Sequence, residues 1–255
     1  MADRPASGVL ERFETAHNRV RVVRIGRRVE MQVRAATFAT WHPSRLLTGY
    51  AWDALSAGCL LRGGGPPRSV LMLGYGGGTI ARQLRAFVPV IRIVGVEIDA
   101  QVVAAARRHM GADETGAEIV VGDAYAYLDR SRERFDAIVD DLYLTGASDV
   151  ERPRIPAGGT LELLRGRLAP GGVLVANLIT DEGGHRADRR AARAAFAGAF
   201  REVRTVTPPH GLNEILVGGA RVSGRTALRP FTAALEEASD RRLFAALRVR
   251  ALDRR

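Results

Sequence analysis

The chain has 255 residues, 46% hydrophobic and 6% aromatic, enough for one α/β unit with a sizeable core. No apolar run approaches the ~20 residues that span a bilayer, the polar stretch from Met1 to Glu11 reads as no secretion signal, and a lone cysteine, Cys59, excludes a disulfide framework. The +10 charge comes from arginine without a single lysine, in small clusters at Arg24–Arg28, Arg130–Arg134, Arg186–Arg193 and Arg248–Arg255; it reads as solvated surface rather than a nucleic-acid face, leaving a cytoplasmic globular protein.

Residues 1–18 carry no period and read as a fraying end. From Val20 the pattern alternates through Val22, turns at Gly26-Arg27 and resumes at Val29, Met31 and Val33, which predicts a β-hairpin. Pro43 and Ser44 open a helical stretch through Leu47, Ala51, Ala54, Leu55 and Gly58. It ends at the breaker run Gly63-Gly64-Gly65-Pro66-Pro67. An N-terminal hairpin and helix (1–65), a main domain (66–220) and an Arg-rich helical extension (221–255) follow from that division.

In the main domain, short apolar strands at Ser69–Leu73, Ile91–Val96, Ile119–Val121, Phe135–Val139 and Val173–Asn177 alternate with helices at Thr79–Phe87, Ala100–Met110 and Ala124–Arg130. Such a rhythm predicts a parallel sheet covered on both faces. A helix over Ala187–Phe200 then leads to strands Val203–Thr207 and Ile215–Val217, which flank the turn Pro208-Pro209-His210-Gly211 and must pair antiparallel. The expected fold is a Rossmann-like, seven-stranded, mostly parallel sheet with an antiparallel terminal hairpin.

The first strand runs into Gly74-Tyr75-Gly76-Gly77-Gly78-Thr79. Glycines there let the backbone approach a ligand, and the next helix offers its N-terminus. Glu97 ends the second strand about 20 residues later, where an acid can accept ribose hydroxyls. Asp99 is a helix cap. Asp123 and Ala124 close the third strand, with Asp123 either accepting from an adenine amino group or capping the next helix. Three successive strand ends converge on the crevice where open α/β sheets bind ligands, and together they call for an adenosine-containing molecule. The fourth strand ends in Asp140-Asp141-Leu142-Tyr143. Asp140 is the expected base toward an acceptor amine, with Asp141 alongside it or facing solvent, and Tyr143 offering a hydroxyl or ring face.

These segments, with Thr48–Leu55, Val70–Thr79, Val94–Asp99, Gly122–Ala124 and Leu168–Leu174, resemble spermidine synthase-like proteins of the polyamine aminopropyltransferase family, on the class I S-adenosylmethionine (AdoMet) methyltransferase fold. The resemblance covers roughly residues 19–218. It implies AdoMet or decarboxylated AdoMet as co-substrate, a small amine as acceptor, no metal and a possible homodimer. It also implies Glu97 on the ribose, Asp123 on the adenine and Asp140 as general base. Two departures stand out. Gly77 replaces the acid of the family's G-G-G-D-G-G, which holds the aminopropyl end of the donor, and Tyr143 replaces the second acid of D-[ST]-[ST]-D-P. A dicationic acceptor wants carboxylates at both ends, so the lost second acid and the +10 background argue against putrescine. The absent aminopropyl-end acid makes methyl transfer from AdoMet the alternative to aminopropyl transfer, beside a non-catalytic nucleoside-binding module. An NAD-dependent oxidoreductase is disfavoured by the terminal hairpin and Asp123. His42, Tyr50 and Trp52 are candidates for the acceptor pocket, and Asn177 ends the fifth strand on the same edge. The five histidines have no metal spacing, and Cys59 reads as core.

Overall fold

The computed structural model describes residues 7–34, 36–145, 150–180 and 185–253. The chain opens with four antiparallel strands in sequential order, β1 (Gly8–Glu14), β2 (Arg19–Ile25), β3 (Arg28–Val33) and β4 (Ala36–Trp41). The predicted hairpin is β2–β3, paired as Val22 with Met31 and Val20 with Val33, so that alternate apolar residues bury one face. Two further strands flank it. β1 lies in the stretch read as fraying; most of it is exposed, which removes the alternation that would have revealed it. Residues 1–6 of that stretch lie outside the described residues. β4 is built largely of alanine and threonine, and it docks on the main domain through Thr79, whose hydroxyl accepts from Thr40 N (3.0 Å) and donates to Thr40 O (2.9 Å).

The first helix, α1 (Ala51–Leu60), starts eight residues later than Pro43 suggests. Asp53 explains the delay. Its carboxylate accepts from Thr48 N, Gly49 N and the Thr48 hydroxyl, so it holds a turn immediately ahead of the helix. α1 is buried on nearly every side because it lies on the main sheet, and a Cβ on Gly58 would stand 2.7 Å from Val175.

The main sheet alternates with helices in the predicted order: β5 (Ser69–Leu73), α2 (Thr79–Phe87), β6 (Arg92–Glu97), α3 (Ala100–His109), β7 (Glu118–Val121), α4 (Ala124–Arg130) and β8 (Phe135–Asp140). Two short strands, β9 (Leu144–Thr145) and β10 (Val150–Glu151), pair with each other; then come α5 (Gly158–Gly166), β11 (Leu168–Ile179), α6 (His185–Ala199), β12 (Glu202–Thr207) and β13 (Asn213–Gly219). The C-terminal segment adds α7 (Arg229–Ala234), α8 (Ala238–Ala245) and β14 (Arg248–Ala251).

The sheet has eight strands in the order β14-β12-β13-β11-β8-β5-β6-β7, parallel from β11 to β7 and antiparallel at the other edge. The eighth strand corrects the expected seven and the all-helical C-terminal extension. β14 pairs with β12 through Arg-Val-Arg-Ala, a charged edge strand with too little apolar alternation to read as one. Val70, Met72, Val139 and Val175 pack on one face of the sheet; Leu71, Leu73, Ile138 and Leu174 pack on the other. Burial on both faces makes each central strand a continuous apolar run. Crossovers leave β5 in opposite directions, toward β6 and β7 on one side and toward β8 and β11 on the other. The carboxyl ends of β5 and β8 therefore flank the switch point where such sheets form a crevice.

Candidate active site

A cavity of about 580 Å³ opens at that switch point, roofed by β4 and the start of α1. The glycine loop forms its floor. Gly74 has φ +85°, and both Gly74 N and Tyr75 N donate to Val96 O at 3.0 Å, which folds the loop over the end of β6. A Cβ at Gly74 would meet the Asp141 carbonyl at 2.5 Å, so only glycine lets the loop and the end of β8 come this close.

Glu97 is buried at the end of β6. One of its oxygens accepts from Gly76 N (2.8 Å) and the other from Asp99 N (3.2 Å). Burial pushes its carboxyl pKa up, against the pull of those N–H groups. A carboxylate offers about four acceptor positions, so capacity remains for a ligand's hydroxyls. Asp99 caps α3, as expected, through Gln101 N and Val102 N. Asp123 does cap a helix, accepting from Ala126 N at 2.7 Å, and it also borders the cavity beside Ala124. The two roles weighed for Asp123 are thus compatible.

Gly76 and Gly77 border the cavity, as does Tyr75, but the Tyr75 ring lies against Gly95 and its hydroxyl meets Thr115 Oγ1 at 3.2 Å, a packing role. Gly78 is not among the lining residues; with φ +79° it caps α2. A Cβ on Gly77 would stand 2.5 Å from Ala39 Cβ and 2.6 Å from Met110 Sδ. The N-terminal sheet and the end of α3 close over this point, leaving no room for an acid.

The two adjacent aspartates part company. Successive strand residues face opposite ways, and Asp140 points away from the cavity into a buried ion pair. Arg152 Nη1 donates to both its oxygens (2.9 and 2.8 Å), with both side chains 2% exposed. Arg152 Nη2 also donates to Asn177 O at 2.5 Å, and the guanidinium lies 4.9 Å from the Tyr143 ring centroid. Burial works against the charged guanidinium, but the Asp140 carboxylate and Tyr143 outweigh it, and its pKa is raised. Asp140, the expected base, is thereby committed to structure.

Asp141 faces the cavity instead. Its Oδ1 accepts from Asn177 Nδ2 (2.7 Å), and Asn177 Oδ1 accepts from Asn213 Nδ2 (2.9 Å), a relay across β8, β11 and β13. Burial raises the Asp141 carboxyl pKa, partly offset by Asn177. If the acidic motif of the resemblance is set on Asp141 instead of Asp140, its second acid falls on the apolar Leu144, which borders the cavity.

Of the other candidates, Tyr50, Trp52, Tyr143 and Asn177 border the cavity and His42 does not. His42 Nδ1 accepts from Ser44 N (3.2 Å) and Arg45 N (3.0 Å), a turn-forming role. Burial and neighbouring arginines, Arg45 foremost, hold its imidazole below the usual histidine value. The sequence reading missed Phe38, Arg154, Leu212 and Asn213 on the walls, and Arg152 behind them. Among the described residues no group of acids, histidines or cysteines is arranged to hold a metal, and no helix is long and apolar enough to cross a membrane.

A methyltransferase domain model matches residues 70–172. A probable polyamine aminopropyl transferase from Bifidobacterium longum is 31% identical over 163 residues, covering 63% of this chain and 35% of the relative. A polyamine aminopropyltransferase from Pyrobaculum neutrophilum is 35% identical over 118 residues, covering 43% of this chain and 40% of the relative. The chain thus spans well under half the length of these curated relatives. A probable spermidine synthase from Corynebacterium glutamicum superposes with a TM-score of 0.73 at 18% identity, over 98% of this chain and 91% of that one. The fold is that of spermidine synthases and the AdoMet methyltransferases.

Proposed function

We propose that this chain is an alkyl transferase that binds a sulfonium nucleoside, AdoMet or decarboxylated AdoMet, and passes an alkyl group, the aminopropyl group of the decarboxylated donor, to an amine. The observation that carries the reading is the position of Asp141 on the same cavity as Gly76 and Glu97. The nucleoside would lie over β5, β6 and β7, with Glu97 accepting the ribose hydroxyls and Asp123 the adenine amino group. The acceptor would then approach over β8 and β11.

Transfer is an in-line displacement. The amine lone pair attacks the carbon next to sulfur, the carbon–sulfur bond breaks, and its electron pair leaves on a neutral thioether. An amine is protonated near neutral pH, so it must lose a proton to react, and Asp141 accepts it. Asn177 keeps the Asp141 carboxylate aimed, and the cavity walls supply alignment. Names of the relatives support aminopropyl transfer. Gly77 favours a second reading, methyl transfer from AdoMet, because no acid fits where the aminopropyl ammonium would need one. A homodimer and a cytoplasmic location belong to the same reading.

Mass spectrometry of products, after incubation with each donor and a panel of primary amines, tests it. An amine heavier by one aminopropyl group is the expected result. A methylated amine formed from AdoMet would select the second reading, and absence of product together with absence of nucleoside binding by calorimetry would overturn both.

A further inference from the structure

The two halves of the cavity carry different charges. The described carboxylates on its wall are Glu97, Asp123 and Asp141, and the first two stand at the ends of β6 and β7, over the nucleoside half. Among the described residues, Asp141 alone serves the half over β8, β11 and β13. Asp140 is neutralised by Arg152, and Glu214 is held by Arg193 at 2.5 Å and does not border the cavity. The charged side chain that does border it there, Arg154, is cationic and lies 4.3 Å from the Tyr125 ring centroid.

The remaining surface of that half is apolar. Tyr50, Trp52, Leu142, Leu144, Ile179 and Leu212 form it. Two of them are large and openly exposed, Tyr50 at 49% and Leu212 at 62%, and both sit where the cavity meets solvent. Exposed apolar side chains grouped at the mouth of a cavity mark a surface that a ligand covers. The Asn177 amide is already engaged at both ends, with Asp141 and with Asn213.

We propose that the acceptor is a singly charged amine whose remaining body is uncharged and apolar, rather than a diamine or polyamine. The inference rests on the transfer reading above and deepens it. One ammonium meets Asp141 and loses its proton there; a second, at the far end, would leave water for leucine and tryptophan, with no carboxylate among the described residues to meet it. Burying an ion without a partner costs several kcal/mol.

Pentylamine and 1,4-diaminobutane have the same length and differ only in a methyl or ammonium at the far end. Their kcat/KM values with each donor, and their affinities by calorimetry for the protein saturated with the unreactive nucleoside 5′-methylthioadenosine, test the proposal. Pentylamine is expected to win by at least about tenfold, since the unpaired-ion penalty exceeds the free energy of a tenfold change. Equal use of the two amines, or preference for the diamine, overturns the proposal. Leu212→Asp, at an exposed position that tolerates charge, should shift the ratio toward the diamine; an unchanged ratio also counts against it. If neither amine reacts with either donor, the transfer reading fails, and the calorimetric preference still decides the acceptor class.

Discussion

The nucleoside half of the cavity is made mostly of backbone, and the acceptor half mostly of side chains. Over β5, β6 and β7 the glycine loop turns on positive φ angles and donates Gly76 N to Glu97, so its shape follows from the chain path itself. Over β8, β11 and β13 the surface depends on which way individual residues point, as Asp140 and Asp141 demonstrate. A backbone-built site constrains the ligand class tightly, whereas a side-chain-built one is free to change its substrate without changing the fold.

The strongest way to break this contrast is to disturb the support behind the acceptor half. Arg152→Met leaves the Asp140 carboxylate buried without its partner and should lower stability by about 3–5 kcal/mol in denaturant unfolding. Removing both charges, as Asp140→Leu with Arg152→Met, should recover a large part of that loss. If the single variant unfolds like the wild type, Asp140 is not held as described. In the nucleoside half, Glu97→Gln keeps the shape but removes the charge, and nucleoside affinity by calorimetry should weaken by about 1.5–3 kcal/mol. Introducing the acid found in the proteins it resembles, as Gly77→Asp, should not improve use of decarboxylated AdoMet. Its Cβ would press on Ala39 and Met110, and overpacking of this kind costs about 1–3 kcal/mol, readable as a lower melting temperature.

The smallest effect concerns Asp53, which holds the turn presenting Tyr50 to the cavity mouth. Burial raises its carboxyl from 3.8 to about 6, so the fold favours the protonated form. The resulting contribution is complete below about pH 4 and is lost as pH rises through about 6. Asp53→Asn should flatten the stability–pH curve in that window and leave its slope elsewhere unchanged; an unaltered slope would contradict the assignment.

The same contrast explains what could be read in advance. The glycine loop, Glu97 and Asp123 are legible because each follows a strand within a few residues, and the strand order then brings them together. Asp140 and Asp141 are chemically identical neighbours, and only the phase of β8 against its partners decides which one faces the cavity. Arg152 arrives from 12 residues away, and no local pattern ties it to Asp140. Leu212 and Asn213 reach the wall only because β13 runs antiparallel beside β11. In the fold, the two-residue strands β9 and β10 are too short to carry a period, and the mostly exposed β1, the alanine- and threonine-rich β4 and the arginine-bearing edge β14 also escaped notice, because their burial is too slight to write one into the sequence.

The most direct test of the account is the single-turnover rate of alkyl transfer in Asp141→Asn at saturating donor. Loss of the proton acceptor should slow product formation by about 10²–10⁴-fold. A rate within a few-fold of the wild type would contradict the assignment of Asp141, and with it the chemistry ascribed to this cavity.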